Sequence, residues 1–269
     1  MNNLTIVTGL FDIGRGSLDG MFIRSFDHYK EWFADLLRTV DLPMIVFCEK
    51  ELYPFIAEQT KDRKNSVMIL SKTLDDIRKF PFYDKVQKIR TSNRWLSQDW
   101  WIPQSPQARL ELYDPLVMSK QYWMDEAVTL DPFDSDYFLW VDGGIFNTVN
   151  ASHFGPSFSE NIIPYMDKML YLAFTYEGHE VHGFTGTAFD RFCGQHANRV
   201  VRATLWGSTK EVIKDITPLY TRLLEESLTE GYMGTEENIF TMISYLYPDK
   251  VNLHYVEGGF VRDFLERIR

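Results

Sequence analysis

Apolar and polar positions along this chain change period several times, and each change marks an element. Leu4-Thr5-Ile6-Val7-Thr8 is a short β-prone run, and the glycine-punctuated loop Gly9-Leu10-Phe11-Asp12-Ile13-Gly14-Arg15-Gly16 follows it. Ser25 offers an N-cap, after which Tyr29, Trp32, Phe33, Leu36 and Leu37 recur at helical spacing. Leu42 to Cys48 reads as a second strand with Pro43 at its edge. Leu52, Phe55 and Ile56 read as a short helix, and Val67-Met68-Ile69-Leu70 as a third strand. This strand–helix alternation is the order of a parallel sheet with crossover helices.

Residues 71–107 show poor periodicity. Asp114-Pro115 then reads as an N-cap with proline at the first helical position, and Leu116, Lys120, Trp123 and Ala127 share one helical face. Tyr137 to Val141 is a continuous apolar run that ends on Asp142, and the run Met169 to Phe174 is a further strand. Residues 178–194 read as loop or hairpin. Val200 to Trp206 is predicted to be a strand that stops at Gly207. Ser208 and Glu211 would then form a capping box, and Pro218 would break or kink the following helix. Glu236 to Tyr247 reads as a helix stopped by Pro248, and Val251 to Val256 as the last strand. No repeat or linker interrupts this order, so residues 1–269 are expected to form one domain.

Length and composition narrow the function. A chain of 269 residues can bury a sizeable core. Its net charge of −10 argues against a nucleic-acid partner, which would require a basic stripe. The two cysteines, Cys48 and Cys193, make no disulfide framework, which fits a reducing compartment. No basic-then-apolar leader opens the sequence, and no apolar run is long enough to span a membrane. A cytoplasmic protein is expected, with peripheral membrane association left open.

Asp142 is the strongest chemical candidate. A buried strand places its carboxylate at the sheet's C-terminal edge, where open α/β sheets bind ligands. Gly143 and Gly144 allow close approach there, and a hard carboxylate suits Mg²⁺ or Mn²⁺ on phosphate oxygens. A simple Asp-Gly turn is the competing reading. The loop holding Thr8, Asp12 and Arg15 either docks a nucleotide or is an ordinary β–α turn. Its glycine spacing is neither a Rossmann fingerprint nor a P-loop. Glu236 and Glu237 either complement a helix dipole or supply a general base. Since neighbours in a helix point about 100° apart, only one of them is expected to face a site. His254 is either a packed strand histidine or a metal ligand. The turn from Arg202 to Gly207 would present N–H groups to an acceptor or phosphate.

Taken in order, Val7 to Gly16, Met118-Ser119-Lys120, Tyr137 to Ile145 and Thr235-Glu236-Glu237-Asn238 resemble glycosyltransferases of the GT-A fold, and more narrowly the bacterial HtrL/YibB-type proteins. The resemblance implies a Rossmann-like α/β domain with a mostly parallel sheet flanked by helices. Residues 1–145 would form the nucleotide-sugar half and 146–269 the acceptor half. It implies a nucleotide-diphosphate sugar donor, a UDP-sugar favoured, a glycan acceptor, and a divalent metal, Mn²⁺ or Mg²⁺. The product would belong to a polysaccharide, lipopolysaccharide or glycoprotein glycan. Thr8, Phe11, Asp12, Arg15, Lys120, Trp140 and Val141 would bind the donor nucleotide. Arg202 and Gly207 would form the acceptor or phosphate loop, Asp142 and His254 would hold the metal, and Glu236 or Glu237 would be catalytic. The chain departs from the usual Asp-x-Asp motif: Trp140 replaces the first acid, leaving Asp142 as the last. Two other readings compete. One is a non-catalytic nucleotide-sugar or glycan-binding module. The other is a metal-dependent hydrolase using Asp142, Glu236 and His254.

Overall fold

A computed structural model describes residues 3–269. Nine strands run in chain order: β1 Leu4–Leu10, β2 Met44–Cys48, β3 Val67–Ser71, β4 Tyr137–Val141, β5 Met169–Thr175, β6 Glu180–Val181, β7 Phe184–Thr185, β8 Arg199–Thr209 and β9 Val251–Tyr255. Seven of them form one sheet in the order β3-β2-β1-β4-β8-β5-β9, and β6 and β7 make a separate hairpin. Only β8 runs against its neighbours, pairing antiparallel with β4 and β5. The C-terminal ends of β1 and β4 therefore lie side by side on one edge.

Both faces of the central strands are buried, as the continuous apolar runs require, while the edge strands β3 and β9 stay partly open. Alternate residues of β4 divide between them. Phe138 and Trp140 enter one core with Trp123, Trp206 and Phe240, while Leu139 and Val141 enter the other with Phe33, Leu36 and Leu37. The helices Lys120–Leu130, Lys210–Thr229 and Glu236–Leu246 cover the first face. The helix Phe26–Thr39 covers part of the second. Among the described residues, no helix is long and apolar enough to cross a membrane.

Several elements differ from expectation. Residues 71–107 are not irregular: they hold the helices Leu74–Arg78, Tyr83–Arg90, Asn93–Leu96 and Pro106–Arg109. Three of these span only four or five residues, too few to show a period, and each of the three is capped by the side chain of Thr73, Ser92 or Ser105. Asp114 is no cap. The helix Tyr113–Met118 starts after Leu112, and Asp114 lies fully buried in its first turn. β8 continues through Gly207, and the N-cap that follows is Thr209, not Ser208. The Ser208 hydroxyl instead donates to the Met166 carbonyl at 2.9 Å. Pro218 leaves Lys210–Thr229 a single helix, since Ile213, Ile216, Tyr220, Leu223 and Leu224 bury one continuous apolar face on either side of it. The stretch 178–194 holds the hairpin β6–β7 and the helix Gly186–Cys193.

Candidate functional site

The loop after β1, the Asp142 turn and the start of the Glu236–Leu246 helix meet in one cleft of about 600 Å³. It draws on residues from both halves of the chain. Gly143 makes the meeting possible. A Cβ there would lie 2.8 Å from the Gly9 carbonyl oxygen and 3.0 Å from Phe33, so a larger residue would push the β1 and β4 ends apart.

The centre of the cleft is a chain of charges. Lys120 Nζ lies 2.7 Å from Asp142 Oδ1 and 2.7 Å from Glu236 Oε1. Its side chain is only 12% exposed. Burial alone would lower the Lys120 pKa, but the two carboxylates reverse that and hold it above its ordinary value. Burial pushes Glu236 up to about 7, against the opposing pull of Lys120. Asp114 stands deeper, with neither carboxyl oxygen hydrogen-bonded and its pKa driven well upward by burial and then by Glu236.

Trp140 sits two residues before Asp142 and so points to the same sheet face. Its indole Nε1–H donates to Asp142 Oδ1 at 2.7 Å. The ring stacks on Trp206 with centroids 6.2 Å apart, and the Lys120 ammonium lies 5.7 Å from its centroid. Where the usual motif offers a second acid, this chain offers a donor and an aromatic wall.

Glu237 faces the opposite side of the cleft. Its Oε1 accepts from the Ala203 N–H at 3.1 Å, and its Oε2 lies 3.3 Å from Arg202 Nη1 and 3.5 Å from His182 Nδ1. Both glutamates therefore line the cleft, contrary to the expectation that only one could. They do diverge, but the cleft wraps the helix start: one meets Lys120 and the other meets β8.

Arg15 enters from the loop after β1. Its guanidinium donates to the Tyr29 hydroxyl at 2.9 Å and the Phe22 carbonyl at 3.2 Å, and it lies over the Tyr113 ring. Its Nε–H is buried without a partner. Among the described residues no carboxylate pairs with it, so its charge is open to a ligand. Asp12 Oδ1 accepts from the Gly14 N–H at 3.0 Å and shapes the loop. Phe11 packs on Trp123 at 5.2 Å, giving the same wall an aromatic surface.

Phe11, Asp12, Arg15, Lys120, Trp140, Asp142, Arg202, Glu236 and Glu237 thus line one cleft. Four expected residues do not. Val141 points to the other sheet face, and the Thr8 side chain is fully buried. Gly207 is a strand glycine: a Cβ there would strike the Phe138 carbonyl and lie 2.8 Å from Leu139 Cα, so it serves strand packing and not a phosphate turn. His254 lies on β9, three strands from β4 and so about 14 Å away at ordinary strand spacing. There it bonds Asn252 at 3.1 Å and packs on Tyr165 and Phe264. Burial, then Arg267, lowers its pKa. The structure does not bring it to Asp142.

These donors do not fit a divalent ion held by protein side chains. Asp142 is the one carboxylate of the expected pair, and an ammonium and an indole N–H already contact its Oδ1. Among the described residues no three His, Cys, Asp or Glu side chains group as a metal site would need.

His182 was missed by sequence reasoning. It lines the cleft from the β6–β7 turn, where His182 and Gly183 have φ of 50° and 102°. Two consecutive positive φ values mark a two-residue hairpin turn. The His-Gly pair between two short β-prone runs was the available signal.

The chain belongs to the HtrL_YibB family, described as a bacterial protein of unknown function, whose model matches residues 2–265. No curated protein matches it. Among solved structures it is similar to core-mannan synthase A of Aspergillus fumigatus in its Mn/GDP form. The TM-score is 0.57 at 8% identity, over 94% of this chain and 73% of that one. Fainter likenesses are to mouse xyloside xylosyltransferase 1 in its apo form (TM-score 0.45, 10% identity, 94% and 84% of the two chains) and to the 4-diphosphocytidyl-2C-methyl-D-erythritol synthase of Anaerococcus prevotii (TM-score 0.46, 10% identity, 97% and 91%). The fold is that of GT-A-type nucleotide-sugar transferases, as the sequence resemblance implied.

Proposed function

We propose that this HtrL_YibB family member is a glycosyltransferase that moves a sugar from a nucleotide-diphosphate sugar to a glycan hydroxyl. One observation carries the reading: a single cleft at the C-terminal ends of β1 and β4 joins the Arg15 loop, the Asp142 turn and the Glu236-Glu237 helix start. Open α/β sheets bind ligands at this edge.

The donor nucleotide lies between the β1 loop and the Asp142 turn, its base against the Phe11 and Trp123 wall and its diphosphate toward Arg15. The acceptor enters on the Glu237 side. Glu237 is the general base: its side chain is the more open of the two glutamates, at 15% against 4%, and it is not spent on Lys120. It takes the proton of the acceptor hydroxyl as that oxygen bonds the anomeric carbon. The bond from that carbon to the phosphate oxygen breaks, and the nucleoside diphosphate leaves with the electron pair. Glu236 is a positioning residue that holds Lys120. Arg202 and the Ala203 N–H hold Glu237 in place.

A second reading has a divalent ion, Mn²⁺ or Mg²⁺, on Asp142. The cleft carboxylate and the Mn/GDP form of core-mannan synthase A favour it, but Lys120 would have to leave Asp142. A non-catalytic binding module of the same fold is the remaining alternative, favoured by Trp140 in place of an acid.

Calorimetry with UDP, GDP and dTDP tests the donor site. At least one should bind, and Arg15→Ala should weaken it by about tenfold, a change of about 1.4 kcal/mol. No heat from any nucleotide would remove the donor site.

A further inference from the structure

We propose that the Lys120 ammonium stands where a divalent ion would otherwise bridge Asp142 and the donor diphosphate, so that this chain binds its donor without metal. The inference rests on the donor-site reading above and deepens it.

Three observations converge on Lys120. First, β4 ends with one carboxylate, and the residue that shares its face is Trp140, which donates a hydrogen bond to Asp142 and cannot ligate an ion. Second, the ammonium is already fixed at 2.7 Å from that same carboxylate oxygen, and Glu236 holds it from the other side at 2.7 Å. A divalent ion on this oxygen would sit against a buried like charge. Third, Lys120 is mostly buried yet lines the cleft, so its charge meets a ligand through little water.

Lys120 with Asp142 and Glu236 sums to −1 with both acids ionised and to zero with Glu236 protonated. Arg15 adds a charge that no carboxylate answers among the described residues, and its buried Nε–H lacks a partner. An anion bound between them would answer the Arg15 charge and draw on the Lys120 ammonium. Lysine binds phosphate as a point charge, the role the ion would have had.

The test is calorimetric titration of UDP, GDP and dTDP into the full chain, in excess EDTA and then in excess Mn²⁺. The expected result is binding in EDTA, with an affinity that Mn²⁺ changes by less than about threefold, well under the tenfold worth of 1.4 kcal/mol. Lys120→Met should weaken that binding by about tenfold or more. The double variant Lys120→Met/Glu236→Gln removes the charge Lys120 leaves behind, and it should show the same loss while melting as a folded protein. An affinity that rises about tenfold with Mn²⁺ would overturn the proposal while leaving the donor site standing. An unchanged affinity in a folded Lys120 variant would also overturn it. Binding of no nucleotide in either buffer would overturn the donor site itself, and this inference with it.

Discussion

Removing Lys120 should make the stability of the protein fall more steeply with pH. Glu236 is raised to about 7 in the folded state from an ordinary 4.5. A carboxyl with a raised folded pKa keeps its proton longer in the native state, so the Glu236 contribution to wild-type stability falls as pH climbs from about 4.5 to about 7 and then levels off. In Lys120→Met the ammonium that helps ionise Glu236 is gone. Its pKa climbs further, and the fall continues above pH 7. Between pH 6 and 8 the wild type passes through about one unit of this slope and the variant through more, up to about two. The variant should therefore lose more than wild type over that range, by up to about 1.4 kcal/mol, at 1.36 kcal/mol per unit. Asp142, whose side chain is 32% exposed, can hydrate, so the uniform part of the loss should fall below the roughly 3–5 kcal/mol of a fully buried broken pair. Urea unfolding followed by tryptophan fluorescence at pH 6, 7 and 8 reads both parts. Glu236→Gln, alone or with Lys120→Met, should remove the Glu236 contribution to the slope. Parallel pH curves for wild type and Lys120→Met would refute this coupling.

Other substitutions separate the remaining roles. Asp114→Asn removes a buried acid whose pKa is driven up, so it should stabilise the protein increasingly as pH rises above the ordinary carboxylate range, as thermal melts would show; a constant offset would contradict that. His254→Ala should cost about 1–3 kcal/mol of stability through lost packing and hydrogen bonding, with nucleotide affinity unchanged. A loss of affinity without a loss of melting temperature would return His254 to the donor site. Gly207→Ala should destabilise the protein by more than about 2 kcal/mol, because its Cβ meets the β4 backbone, and a melt at the wild-type temperature would argue against so close a strand approach.

The sheet could be read from the sequence because its central strands are buried on both faces, and continuous apolar runs such as Phe138 to Val141 leave few alternatives. The short helices between residues 74 and 109 could not, since pieces of four or five residues rest on single caps such as Thr73 and on tertiary contacts. Gly207 misled because a glycine after an apolar run looks like a stop, while its real constraint is the β4 carbonyl across the sheet. The cleft residues on β1, β4 and the Glu236 helix were readable because each ends or begins an element. The Asp142–Lys120–Glu236 contact was not, since it joins residues 22 and 116 positions apart from Lys120 through tertiary packing alone. His254 shows the opposite failure: it carries suitable chemistry, and strand order sets it three places from the site.

The central claim is turnover of a nucleotide sugar in this cleft, and nucleotide release measures it most directly. Wild-type protein would be incubated with a panel of UDP-, GDP- and dTDP-sugars, with and without a glycan mixture as acceptor. The account predicts release from at least one donor, increased by acceptor. It predicts that Glu237→Gln lowers the rate by about 10²–10⁴ while nucleotide affinity holds, the range expected for a general base. No release from any donor, or a Glu237→Gln rate equal to wild type, would contradict it.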